Sequence, residues 1–154
     1  MERKTKIDAE DGKQELLITR EFDLPVDLLF KAHIEPEIVE EWMGTKVLKL
    51  EGKKHGSWQY ETTDPHGNKH GFNGVIHEFV PDLKITRTFE MENSSFPPQL
   101  EFLEFEKLGE EKSKLTMHIV FKSVALRDQM LKLPFAQGIN MAHNRLQEAV
   151  NKLK

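Results

Sequence analysis

Nine residues, Leu83-Lys84-Ile85-Thr86-Arg87-Thr88-Phe89-Glu90-Met91, alternate between two kinds of side chain without a break. Leu83, Ile85, Phe89 and Met91 share one parity with Arg87, and the other parity is polar throughout. Period two predicts a strand with one face in a core and the other in water. Pro81-Asp82 precedes it and Asn93-Ser94-Ser95-Phe96-Pro97-Pro98 follows it, and both are rich in turn formers. The same unit recurs on either side. Upstream are strands over Gly74 to Val80, Gly56 to Thr62 and Val47 to Glu51, with Asp64-Pro65-His66-Gly67-Asn68 reading as a hairpin turn. Downstream are strands over Leu100 to Lys107 and through Leu115, Met117, Ile119 and Phe121, separated by Gly109-Glu110-Glu111. Connections this short imply antiparallel pairing, because parallel strands need a long crossover.

The two ends of the chain read differently. Leu16, Ile18 and Phe22 lie on one face of a first strand that also carries Arg20. Pro25 suits the first turn of a helix, where its missing N–H costs nothing, and Leu29, Phe30 and His33 follow at helical spacing. Pro36 starts a second short helix bearing Ile38, Val39 and Trp42, which Gly44 closes. Ile139, Ala142, Leu146, Ala149, Val150 and Leu153 repeat near the helical period and predict an amphipathic terminal helix, set off by Pro134 from a shorter helical stretch over Leu126 to Leu133. The fold expected is α+β: a curved antiparallel sheet of about six or seven strands wrapped on the C-terminal helix, with two short helices after the first strand. Residues 1–14 are expected to form a flexible N-terminal arm and 15–154 a single domain. Space between sheet and helix is where function would sit.

Composition narrows the chemistry. With 154 residues, of which 22 are basic and 26 acidic, the net charge of −4 argues against a nucleic-acid partner. Zero cysteines exclude disulfides, thiolate metal sites and cysteine nucleophiles. No apolar run approaches the roughly 20 residues of a membrane span, and the first residues lack the apolar segment of a signal peptide, so no membrane association and a cytoplasmic location are expected. His66 and His70 are four apart but on a turn and a strand, so no metal site is expected among the seven histidines. Ser57 lacks the G-x-S-x-G elbow and no phosphate-cradling loop occurs, so neither catalytic residues nor a cofactor are assigned.

Several segments resemble the activator of heat shock protein 90 ATPase family, within the START-like (helix-grip) superfamily. They are Arg20-Glu21-Phe22-Asp23-Leu24-Pro25, Pro36-Glu37 to Trp42, Gly56-Ser57-Trp58, and Gly74-Val75-Ile76-His77-Glu78-Phe79-Val80-Pro81. Thr116 and the pair Gly138-Ile139-Asn140 and Arg145-Leu146 complete the set. The resemblance covers residues 15 to 154 and implies a helix-grip fold with a cavity for a lipid-, polyketide- or flavonoid-like molecule. It also implies two departures. His55-Gly56 stands where the family often has paired glycines, suggesting a less strained start to the strand. His143 stands where many relatives have leucine.

The expected ligand-binding residues are the apolar Trp42, Trp58, Tyr60, Phe89, Met117, Phe135 and Ile139, with Arg87 and His143 as polar anchors. Phe72 and Phe105 belong to the same apolar lining. Arg87 has two readings. It could hold an anionic head bidentately. The favoured reading pairs it internally with a glutamate such as Glu104 or Glu106. His143 is likewise read either as a hydrogen-bonding group in the pocket or, with preference, as a satisfied core or helix-surface histidine. The leading function is non-enzymatic binding of a small lipophilic molecule. The alternatives are a co-chaperone or stress-response protein with a chaperone partner, and a cyclase- or hydrolase-like enzyme acting in the cavity.

Overall fold

The computed structural model describes residues 4–154. In chain order the elements are β1 (Lys6–Asp8), β2 (Glu15–Phe22), α1 (Val26–Lys31), α2 (Pro36–Met43), β3 (Lys46–Leu50), β4 (Ser57–Thr63), β5 (Lys69–Val80), β6 (Lys84–Met91), β7 (Gln99–Gly109), β8 (Lys112–Val120), α3 (Val124–Lys132) and α4 (Phe135–Asn151). The strands form one antiparallel sheet in the order β1-β2-β8-β7-β6-β5-β4-β3. Among the described residues no helix is long and apolar enough to cross a membrane.

Local signals explain most boundaries. Pro25 caps α1, Pro36 opens α2, and Gly44 ends α2 in the left-handed region at φ 63°. The β4–β5 turn is closed by the Asp64 carboxylate, which accepts from the backbone N–H groups of His66 and Asn68 at 2.9 Å each. Register then aligns the parities. Ile85 lies opposite Leu103, Leu103 opposite Met117, and Met117 opposite Ile18, so a continuous apolar row crosses one face of four strands. Bulges at Val47/Lys49, Ile76/Glu78 and Lys107/Gly109 bend the sheet around α4.

Two expectations need correcting. The sheet has eight strands among the described residues, because part of the expected arm is ordered as β1. Lys6, Ile7 and Asp8 pair with Thr19, Ile18 and Leu17. Thr5 is buried, and its N–H donates to Asn140 Oδ1 of α4 at 3.1 Å. A three-residue strand with a single apolar side chain has no period to detect, and its order comes from partners nine or more residues away. Residues 1–3 of the expected arm lie outside the described residues. The second correction concerns His55, which adopts φ 67°, so the β4 start holds a non-glycine residue in the left-handed region. Its N–H donates to the Ile76 carbonyl at 2.7 Å, which ties the loop to β5 and keeps His55 there.

Gly74 has the opposite role. It lies across from Trp58, and a Cβ there would run into the Thr88 carbonyl oxygen and Trp58 Nε1. Two substitutions should therefore move stability in opposite directions, read by urea unfolding. His55→Gly should raise it by about 1 kcal/mol through relief of left-handed strain. Gly74→Ala should lower it by roughly 1–3 kcal/mol through overpacking.

Candidate functional site

The face of the sheet that grips α4 brings inward-pointing positions of β4, β6, β7 and β8 opposite one stripe of the helix. Phe135, Gly138, Ile139, Ala142 and His143 recur at the three- and four-residue spacing that places them on that stripe. Further along the same stripe Leu146 and Val150 have no exposed surface and seal the core. Nearer the start of α4 the helix stands off the sheet. The result is a cavity of about 460 Å³, walled on its remaining sides by α2 through Val39, Trp42 and Met43 and by Met130 of α3. Gly138 helps keep it open, since a Cβ built there meets nothing within 4 Å.

The structure brings eight of the nine expected site residues to this cavity: Trp42, Tyr60, Arg87, Phe89, Met117, Phe135, Ile139 and His143. Trp58 is not on its surface. It is 2% exposed and lies behind the wall, with its ring 4.7 Å from Tyr60 and 5.7 Å from Phe89 by centroids. Its Nε1 makes no hydrogen bond with the described residues. Phe72 lines the cavity, whereas Phe105 is core filler between Phe30 and His33. Trp42 is locked on both sides: its Nε1 donates to the Ala32 carbonyl at 2.7 Å, and its own carbonyl accepts from Arg145 Nε at 3.0 Å.

Arg87 is paired internally. Its Nε donates to Glu101 Oε1 at 3.0 Å, and Gln99 Nε2 donates to Glu101 Oε2 at 2.9 Å. The guanidinium carbon sits 5.2 Å from the Trp58 ring centroid, a cation–π contact on the wall. The partner differs from the expected Glu104 or Glu106, and the reason is parity. Leu103 and Phe105 are buried on β7, so Glu104 and Glu106 point to the opposite face. Glu101 shares the parity of Leu103 and Phe105 and lies directly across from Arg87. It is 4% exposed.

Two imidazoles complete the polar part of the wall. His33 Nδ1 lies 2.9 Å from the Leu29 carbonyl, which can only accept, so the proton is on Nδ1 and Nε2 is left as an acceptor. Burial pushes its pKa down to about 4, against the Leu29 hydrogen bond and with help from the Arg87 charge. His143 Nδ1 lies 2.9 Å from Thr5 Oγ1, which itself accepts from Arg20 at 3.2 Å. Thr5 Oγ1 and His143 Nδ1 share a single hydrogen bond, whose donor is set by the imidazole tautomer. Burial pushes His143 down to about 3, with His33 and Arg20 adding to the effect. Both rings are neutral at pH 7, and His33 Nε2 is left as an unused acceptor. His143 is thus a hydrogen-bonded interior histidine that also lines the cavity.

Sequence reading missed His33, Gln99, Glu101, Gly138 and Met130 as parts of this wall. For Glu101 the β7 parity was available as a signal. His33 had its helical spacing but nothing to show which way it would turn. A second hollow, of about 360 Å³, lies on the other face of the sheet and is lined by Asp8, Glu15, Glu104 and His118 among others. A His118–Glu15 pair at 3.2 Å sits on that surface. Among the described residues no group of three or more His, Asp or Glu side chains could hold a metal ion.

The sequence model of one family, described as Activator of Hsp90 ATPase homolog 1-like protein, matches residues 23–151. No curated protein matches the chain significantly. Among solved structures, a protein of Rhodobacter sphaeroides is similar at TM-score 0.87 with 18% identity, over 97% of this chain and 99% of that one. A solution structure from Arthrobacter aurescens matches at 0.85 with 16% identity, over 96% and 91%. Protein Ms6760 of Mycobacterium smegmatis matches at 0.83 with 19% identity, over 94% of each chain. At these identities the likeness is one of fold.

The neutral histidines have a consequence for stability. Their folded pKa values lie below the 6.5 of a free imidazole, so the unfolded chain takes up protons first. Their contribution is complete above pH 6.5 and is lost as pH falls through the range from 6.5 to about 4 for His33 and about 3 for His143. Between pH 7 and pH 5 the expected loss is about 2 kcal/mol per ring. Urea unfolding at the two pH values should show His143→Leu losing about half as much on acidification as the parent chain does.

Proposed function

Because the chain belongs to the family described as Activator of Hsp90 ATPase homolog 1-like protein, we propose that it binds a small hydrophobic ligand in the cavity between the sheet and α4, without chemistry on that ligand. The observation that carries this reading is the cavity itself. Protein interiors close-pack and leave few voids larger than a water molecule. Here about 460 Å³ stays open against aromatic and aliphatic side chains, within the range of roughly 300–1,000 Å³ usual for ligand pockets.

The lining also supports a ligand class. Trp42, Tyr60, Phe72, Phe89 and Phe135 present ring faces and edges, which suit a flat aromatic or polyketide-like body as well as a lipid chain. Burying about 300 Å² of apolar ligand surface contributes roughly 7 kcal/mol before the costs of association, enough for micromolar binding. The ionisable groups support binding rather than turnover. Glu101 is occupied by Arg87 and Gln99, and both histidines hold their Nδ1 in protein hydrogen bonds.

Heteronuclear NMR against fatty acids, sterols, flavonoids and small polyketides tests the proposal. Saturable shifts at Arg87, Phe89, Met117 and residues 138–146 are expected for at least one class. Silence across the panel would remove the reading. Gly138→Leu should place its side chain in the cavity. It should weaken that ligand by at least about tenfold while leaving stability equal or up to about 1 kcal/mol higher, since a helical glycine is replaced. Unchanged affinity in this variant would place the ligand elsewhere.

A further inference from the structure

We propose that the cavity selects an uncharged ligand with an oxygen that accepts hydrogen bonds at the Arg87 end, and discriminates against a carboxylate of the same size and shape. This rests on the ligand-binding reading above and specifies the polar chemistry of that same site.

The charges on the wall cancel. Among the described residues that line the cavity, Arg87 and Glu101 are the only Arg, Lys, Asp or Glu side chains, and they form one ion pair at 3.0 Å. Glu101 has both oxygens engaged, by Arg87 and by Gln99. Arg87 is used only through Nε, and its two terminal nitrogens make no hydrogen bond with the described residues. It therefore offers N–H donors to a ligand without offering net charge. Tyr60 adds a phenol beside the pair. His33 contributes an acceptor, and His143 a second imidazole edge on the same wall.

A carboxylate brought to this wall loses its hydration. Its attraction to Arg87 is offset by repulsion from Glu101, which lies against the same guanidinium. A hydroxyl or carbonyl oxygen takes the same donors and gives up far less hydration. The arrangement thus favours phenols, alcohols and ketones over fatty-acid anions and aromatic acids.

The test uses 2-naphthol and 2-naphthoate, which share a ring system and differ in charge at pH 7. Titration calorimetry on the parent chain should show naphthol binding at least about tenfold more tightly. Naphthoate binding as tightly or more tightly overturns the selectivity and leaves the cavity reading intact. Binding of neither compound also overturns the selectivity, and the cavity reading is then decided by the NMR panel. Glu101→Gln leaves Arg87 uncompensated and should tighten naphthoate at least about tenfold. The comparison on the parent chain decides the question even if that variant folds poorly.

Discussion

One helix holds this molecule together and also keeps part of it unfilled. Toward its C-terminal end α4 buries Leu146 and Val150 completely and Ala149 nearly so. Toward its start, Phe135 and Ile139 remain half-exposed, and Gly138 contributes no side chain. Apolar burial of the first kind supplies the stability that lets the second stretch stand away from the sheet. The anchoring is reinforced by polar ties at both flanks. Arg145 reaches the Trp42 carbonyl of α2, and Asn140 accepts the Thr5 N–H ahead of β1. A helix that packed evenly along its length would leave no cavity.

Most interior polar groups are held by a specific neighbour, and two of the three interior arginines have their charge cancelled by a carboxylate. Arg87 meets Glu101 across the β6–β7 register. Arg127, 2% exposed, donates to the Glu10 and Glu15 carbonyls and pairs with Asp128, which fastens α3 to the β1–β2 connection. Arg20 is the harder case. Burial lowers its pKa, partly offset by Asp23; it donates to Thr5, lies 5.1 Å from the Phe22 ring centroid, and leaves Nε unpartnered among the described residues. Buried groups of this kind contribute little net stability, but removing one partner strands the other. They fix which way the elements meet.

Much of the architecture was legible in the residues because it is written in periods. The alternation over β6, the helical repeat from Ile139 to Val150, and the Pro25, Pro36 and Gly44 boundaries each carry a local cause that survives into the fold. Where the cause is distant, the reading failed. β1 has one apolar residue and is ordered by β2 and α4. The left-handed His55 is held by a bond to Ile76 twenty-one residues on. The site was legible in the same measure. Parity brought Tyr60, Arg87, Phe89 and Met117 inward, but it could not separate a residue at the cavity surface from one a layer behind. Trp58 has the right parity and the wrong depth, because Gly74 opposite it lets the indole sink against β5.

Among the described residues the sheet does not close on itself, and its two outermost strands are unpaired on one side. Such edges invite a second chain to add a strand, and long flat ones lead to aggregates. Here one edge is β1, three residues long and carrying Lys6 and Asp8. The other is β3, five residues long, with lysines at 46 and 49 and a bulge between Val47 and Lys49. Short length, charge and a broken hydrogen-bond ladder all oppose the docking of another copy. The eight-stranded sheet can therefore curve around its helix as an open structure while remaining a poor template for intermolecular strand addition.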